Sequence, residues 1–270
     1  MDSTSIELSS ELKPTWRLLL EPEQRLITAA LVLVAACAWA FILAGAGMGK
    51  KVGLDDPSMV IAPMPWEPSY AVAIFLMWWI MMVAMMLPNA TPAILLYDRV
   101  ARRIENESGR TTLLFTSGYL LIWGAFSLAA VVLHWVLDQS GFLTKDMASA
   151  STAVGGLVLL AAGLWQLTPM KHACLVRCQN PLQFLTHGWC RGRLAPVRMG
   201  LAHGLDCLGC CWAMMGLLFY GGIINTAWIV GLALYNVLDK SLPAGNLLPG
   251  LVGCALIFAG SLVLISLLSF

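Results

Sequence analysis

Six stretches free of Asp, Glu, Lys and Arg recur along the chain, at Ile27–Gly49, Ser69–Tyr97, Thr111–Leu137, Met147–Met170, Cys207–Leu238 and Ser241–Phe270. Each is long enough for an α-helix across a hydrocarbon layer about 30 Å thick, where every backbone polar group must be paired within the segment. Met199–Leu238 carries only Asp206 as a charge and is interrupted by Gly221-Gly222, which predicts two helices folded back at the glycine pair. The expectation is an all-α polytopic membrane bundle of about seven helices. Composition agrees: 59% hydrophobic residues against 11% charged leave no polar exterior for a soluble domain. One transmembrane domain is expected over residues 26–270, behind a polar N-terminal segment over 1–25. That segment carries Glu11, Lys13, Arg17, Glu21, Glu23 and Arg25 ahead of the first apolar run, so the run reads as an anchor and not as a cleaved signal.

Orientation follows from the basic residues between spans. Thirteen of the sixteen Lys and Arg fall on one side: before the first span, in Arg99–Arg110, in Lys171–Arg198 and at Lys240. Lys50, Lys51 and Lys145 fall on the other. The richer side is expected to be cytoplasmic, with the N-terminus inside, the C-terminus outside, and the loop at about 169–199 facing the cytoplasm. A net charge of +1 and the absence of a basic stripe with interleaved aromatics give no reason to expect nucleic acid as a partner. The lipid bilayer is the expected one.

Three of the four histidines and six of the eight cysteines lie within Lys171–Cys211. Thiolate and imidazole are the side chains that hold softer transition metals, so the cluster is a candidate metal site. His172, Cys174 and Cys178 follow Pro169, which is read as the end of the fourth span, with Cys174 and Cys178 one helical turn apart. His203, Cys207, Cys210, Cys211 and Met214 follow at spacings that place them on one stripe of the next helix, running inward from the cytoplasmic end. With thiols facing a reducing compartment, structural disulfides are not expected.

On the second span Met77, Met81 and Met85 repeat every four residues, with Met82 and Met86 in a neighbouring file. Thioether sulfur is a neutral, soft donor that suits Cu(I) and can sit in hydrocarbon uncharged, although methionine is also ordinary packing material in a helix. The depth expected for this file matches that of the cysteine stripe. Cys37 and Cys254 read as small hydrophobes in apolar spans, His134 as an interfacial histidine, and His187 and Cys190, in the cytoplasmic loop, as either ligands or ordinary surface. Asp206, between His203 and Cys207, is read either as an acceptor orienting the histidine or as a solvated carboxylate. Asn89 and Thr91, beside Pro88 and Pro92, predict a break in the second span near its cytoplasmic end, whose freed carbonyls either take hydrogen bonds or contact a passing ion.

Three passages carry a resemblance: Trp79-Ile-Met-Met-Val-Ala-Met-Met-Leu-Pro88, Trp165-Gln-Leu-Thr-Pro-Met-Lys171 leading to Cys174 and Cys178, and His203-Gly-Leu-Asp-Cys-Leu-Gly-Cys-Cys-Trp-Ala-Met-Met215. With them the chain resembles the bacterial family of predicted metal-binding integral membrane proteins, a domain of unknown function, over roughly Tyr70–Pro243. The resemblance implies a polytopic inner-membrane protein with a metal site on these cysteines. Trp165 stands where an aromatic such as Tyr is expected in that family.

The expected function is Cu(I) handling, as a carrier, chaperone-like acceptor or assembly factor, with a metal chaperone or a metalloenzyme client as partner. Cys207, Cys210, Cys211 and His203 are the expected tight ligands, and His172, Cys174 and Cys178 stand at the uptake side. Met81, Met82, Met85, Met86 and Met214 are the weaker stations. Two alternatives remain open: an intramembrane metal- or thiol-dependent oxidoreductase built on Cys207 and Cys210, and a structural Zn site from Cys174, Cys178, Cys207 and Cys210. The chain carries no phosphate-binding Gly-Lys-Ser/Thr loop and no Asp-Lys-Thr-Gly motif, which excludes ATP-driven pumping by this chain alone.

Overall fold

The computed structural model describes residues 24–44, 66–105, 109–141, 152–190, 192–223, 225–242 and 247–268. Residues 1–23 of the N-terminal segment and Lys50, Lys51 and Lys145, used above for orientation, lie outside them. Helices α1 (Arg25–Leu43), α2 (Pro68–Glu105), α3 (Arg110–Gln139), α4 (Thr152–Gln166) and α5 (Pro169–Gln179) are followed by α6 (Pro181–Gly188) and α7 (Ala195–Gly216). The order closes with α8 (Leu218–Gly221), α9 (Thr226–Ser241) and α10 (Leu247–Leu268), and no strand occurs among the described residues.

Five of these helical segments are long and apolar enough to cross a membrane, and α4 with α5, bent by 63°, makes a sixth if the pair counts as one span. The expected seven requires α9 to cross as well, with only 16 residues. Large apolar side chains point outward from most helices, among them Leu113 and Leu251 at 72% exposure, an exterior compatible with lipid. The centre belongs to α2 and α7, half or more buried along their apolar windows, whereas less than a third of those windows is buried in α1, α3 and α10.

The helix of the fourth span ends just ahead of Pro169, as expected. α4 stops at Gln166, and Thr168 caps the next helix by accepting from the Lys171 backbone N–H, with Pro169 at its first turn. The expected fold-back at the glycine pair is present: Gly222, at φ 93, takes a conformation that a side chain would strain, and α9 begins behind Asn225, whose side chain caps it.

The expected break in α2 is absent. The helix runs unbroken through Pro88 and Pro92 to Glu105, beyond the charge-free stretch that marked it. Three consecutive carbonyls around the prolines take side-chain donors: Asn89 donates to the Met85 carbonyl (2.8 Å), Tyr119 to that of Met86 (3.0 Å) and Thr91 to that of Leu87 (3.0 Å). Those carbonyls are therefore occupied, whereas the carbonyls that the prolines themselves deprive of a backbone donor are those of Ala84 and Pro88, four residues back. Asp98, also buried in α2, accepts from Arg102 and Thr112.

Small residues set the spacing of the central helices. A methyl group on Gly200 of α7 would run into the Phe115 carbonyl of α3, and one on Gly118 into the Val197 carbonyl. α3 and α7 therefore lie backbone to backbone, which carries the Tyr119 hydroxyl across to α7.

Candidate metal centre

α7 buries one face completely: His203, Cys207, Cys210, Cys211, Met214 and Met215 are each 4% exposed or less. This is the expected stripe, with one addition. Met215 lies one turn beyond Cys211, fully buried, and completes a series at four-residue spacing through His203, Cys207 and Cys211.

Cys207 is the best-connected thiol. Its sulfur lies 2.9 Å from the Lys240 ammonium and 3.1 Å from the Tyr119 hydroxyl. The thiols of Cys210 and Cys211 donate to the Cys207 carbonyl at 3.0 and 2.9 Å, and Cys178 of α5 is half-buried against the same core. Cys211 also reaches α2, where its sulfur is 3.9 Å from the Met86 thioether. The helix of thiols and the helix of methionines thus meet. Met77, Met81, Met82, Met85 and Met86 are all buried, at 4% exposure or less.

Gly209 explains how α5 comes to rest here. A methyl group on it would stand 2.7 Å from the Cys174 sulfur, and its carbonyl accepts from the Trp165 indole at 3.1 Å. The end of α4 and the start of α5 therefore dock on the Cys207-Leu-Gly-Cys210 turn, bringing two of the three sequence passages into contact.

Not every expected residue joins. His172 is exposed on α5, Cys174 sits half-buried at the rim, and Cys190 is exposed with its thiol 3.4 Å from the Gly188 carbonyl. His203 is buried among the rings of Phe115, Tyr119 and Phe184 at 5.5 to 6.1 Å, with Nδ1 unpartnered. Asp206 does not orient it. That carboxylate pairs with Arg177 of α5 at 3.1 Å, on the polar edge of a cleft of about 780 Å³. Of His187 only the backbone is described. Among the described residues no three His, Cys, Asp or Glu side chains are disposed as a ligand set for a metal ion. The sulfur donors near Cys207 become a larger set only when the thioether of Met86 is counted.

Two features escape a reading of the sequence. Lys171 and Lys240 look like orientation charges, yet Lys171 forms a 3.0 Å ion pair with Asp239, both side chains buried, and Lys240 points at Cys207. Tyr235 accepts from Lys171 and from Gln166 beside that pair. Nothing in the local sequence marks Tyr119, whereas Met215 was legible in its spacing.

A helical bundle with an apolar exterior and sulfur donors in its core has the chemistry of proteins that handle soft metals. The chain belongs to the copper chaperone family PpoB2, whose family model matches residues 75–263, from α2 into α10. The match carries the metal-related part of the resemblance described above and gives the chain a copper-related role. No curated protein and no solved structure matches it.

Proposed function

We propose that the protein is an integral membrane copper chaperone that takes up Cu(I) between two thiols drawn from Cys178, Cys207, Cys210 and Cys211. It passes the ion to Met86 and on along Met82, Met85 and Met81. The observation that carries this reading is the 3.9 Å contact between the Cys211 and Met86 sulfurs, the point where a strongly binding donor hands over to a weakly binding one. Cu(I) is held by few, soft ligands, and thiolate with thioether is such a set. Zinc would need four ligands drawn from thiolate and imidazole, and would leave the methionines with packing alone.

In this reading α9 completes seven crossings, with the N-terminus in the cytoplasm of a bacterial inner membrane. Cys174 and Cys178 receive the ion from a cytoplasmic metal chaperone, and a metalloenzyme is the client on the far side. Met214 and Met215 line the same route from α7. The test is a Cu(I) titration of detergent-purified, reduced protein against a chromophoric Cu(I) chelator. Cys211→Ser and Met86→Leu should both weaken binding, by about ten- to a hundredfold for a thiol ligand and less for the thioether. Retained affinity in both variants would remove the reading, and zinc binding that depends on cysteines but not on Met86 would replace it.

A further inference from the structure

The buried methionines of α2 have two ends, and the thiols account for one. Toward the other stands His134 of α3, 2% exposed, with Nδ1 buried and without a hydrogen-bond partner. An unpaired buried nitrogen is costly unless something uses it. Its surroundings are rings: Trp66 edge-on at 5.7 Å and Phe219 at 6.5 Å, with Tyr70 packed on Trp66 at 5.1 Å. Asp138, one turn beyond His134, accepts from the Trp66 indole at 2.7 Å and fixes this wall.

Phe219 ties the pocket to the sulfur route. It packs at 5.1 Å on Trp78, the residue after Met77. It also continues the four-residue series of Cys207, Cys211 and Met215 beyond the end of α7, and is itself 5% exposed. Trp78 continues the Met82 and Met86 file at four-residue spacing, so that file and the α7 series both lead to the ring beside His134.

We propose that His134 is a second, weaker Cu(I) site at the end of the bundle opposite the thiols, where the ion leaves the protein. Nδ1 of a neutral imidazole and a thioether from the Met77 end of the file hold the ion between aromatic faces, whose negative quadrupoles favour a cation. Neutral donors release Cu(I) more readily than thiolates do, so this is a departure site and not a store. The Asp138 carboxylate at the mouth draws the cation outward. The inference rests on the carrier reading above.

The test uses the full chain, titrated with Cu(I) in detergent and then reconstituted in phosphatidylcholine vesicles with a Cu(I) chelator on one side. Wild type should take one tight and one weaker equivalent. His134→Phe, which keeps a ring in place, should keep the tight equivalent at unchanged affinity, lose the weaker one and slow release to the chelator by about tenfold or more. His134→Met, with a soft donor restored, should recover both. A weaker equivalent and release rate unaffected in His134→Phe would overturn the second site alone, and the absence of a tight equivalent from wild type would overturn the carrier reading together with it. Copper X-ray absorption on unmutated protein supplies a readout that needs no variant. Nitrogen scattering that enters with the second equivalent supports the site, and sulfur scattering alone at both equivalents contradicts it.

Discussion

The ammonium of Lys240 lies 2.9 Å from the sulfur of Cys207, on α9 and α7 respectively. Two thiolates holding Cu(I) carry a net negative charge, and a buried charge requires a partner. Lys240 is that partner. Lys240→Met should weaken Cu(I) binding by about 1.5–3 kcal/mol, roughly one to two orders of magnitude, while Lys240→Arg retains most of the affinity. A chelator titration reads the difference, and equal affinity in Lys240→Met would remove the charge-balancing role.

The Lys171–Asp239 pair is a different matter, because both side chains are within 2% of complete burial. Removing one partner strands the other, so Lys171→Met or Asp239→Leu alone should cost about 3–5 kcal/mol, and the double variant much less. Thermal unfolding in detergent checks this, with the double variant melting above both singles.

Two glycines on α7 predict opposite outcomes for the same substitution. At Gly200 an added methyl meets the Phe115 backbone, which cannot move aside, so Gly200→Ala should destabilise by about 1–3 kcal/mol and draw Tyr119 away from Cys207. At Gly209 the methyl meets the Cys174 side chain, which can rotate. Gly209→Ala should leave the melting temperature nearly unchanged and slow only the uptake of Cu(I).

Asp206 is not part of the copper site in this account. Its partner Arg177 has a side chain 64% exposed, and an ion pair in such surroundings contributes about 0–1 kcal/mol. Asp206→Asn should therefore change Cu(I) affinity less than twofold by the same measure, whereas a large loss would return the carboxylate to the role of orienting His203.

How much of this was legible depends on the physics of each signal. Long apolar helices announce themselves by unbroken apolar runs, so α2, α3 and α10 could be placed from composition alone, and the fold-back at Gly222 from a glycine pair. The buried stripe of α7 followed from helical spacing, which is local. What failed was non-local. Pro88 and Pro92 predict a break, yet the helix carries both, and beside them its carbonyls at Met85, Met86 and Leu87 take side-chain donors of which one, Tyr119, comes from another helix. Lys171 and Lys240 read as solvated charges because their partners, Asp239 and Cys207, stand 68 and 33 positions away. Asp206 stands three positions after His203, a spacing that allows contact on a helix, but its carboxylate is drawn to Arg177 of α5, 29 positions away, while His203 packs among rings.

The central claim is that a sulfur site on α7, joined to α2 at Met86, carries copper. Metal analysis by mass spectrometry, on protein purified in detergent with reductant, tests it beside a variant with Cys207, Cys210 and Cys211 all changed to Ser. The account predicts copper in stoichiometric amount in the wild type and none in the variant. Zinc in place of copper, or copper retained by the variant, would contradict it.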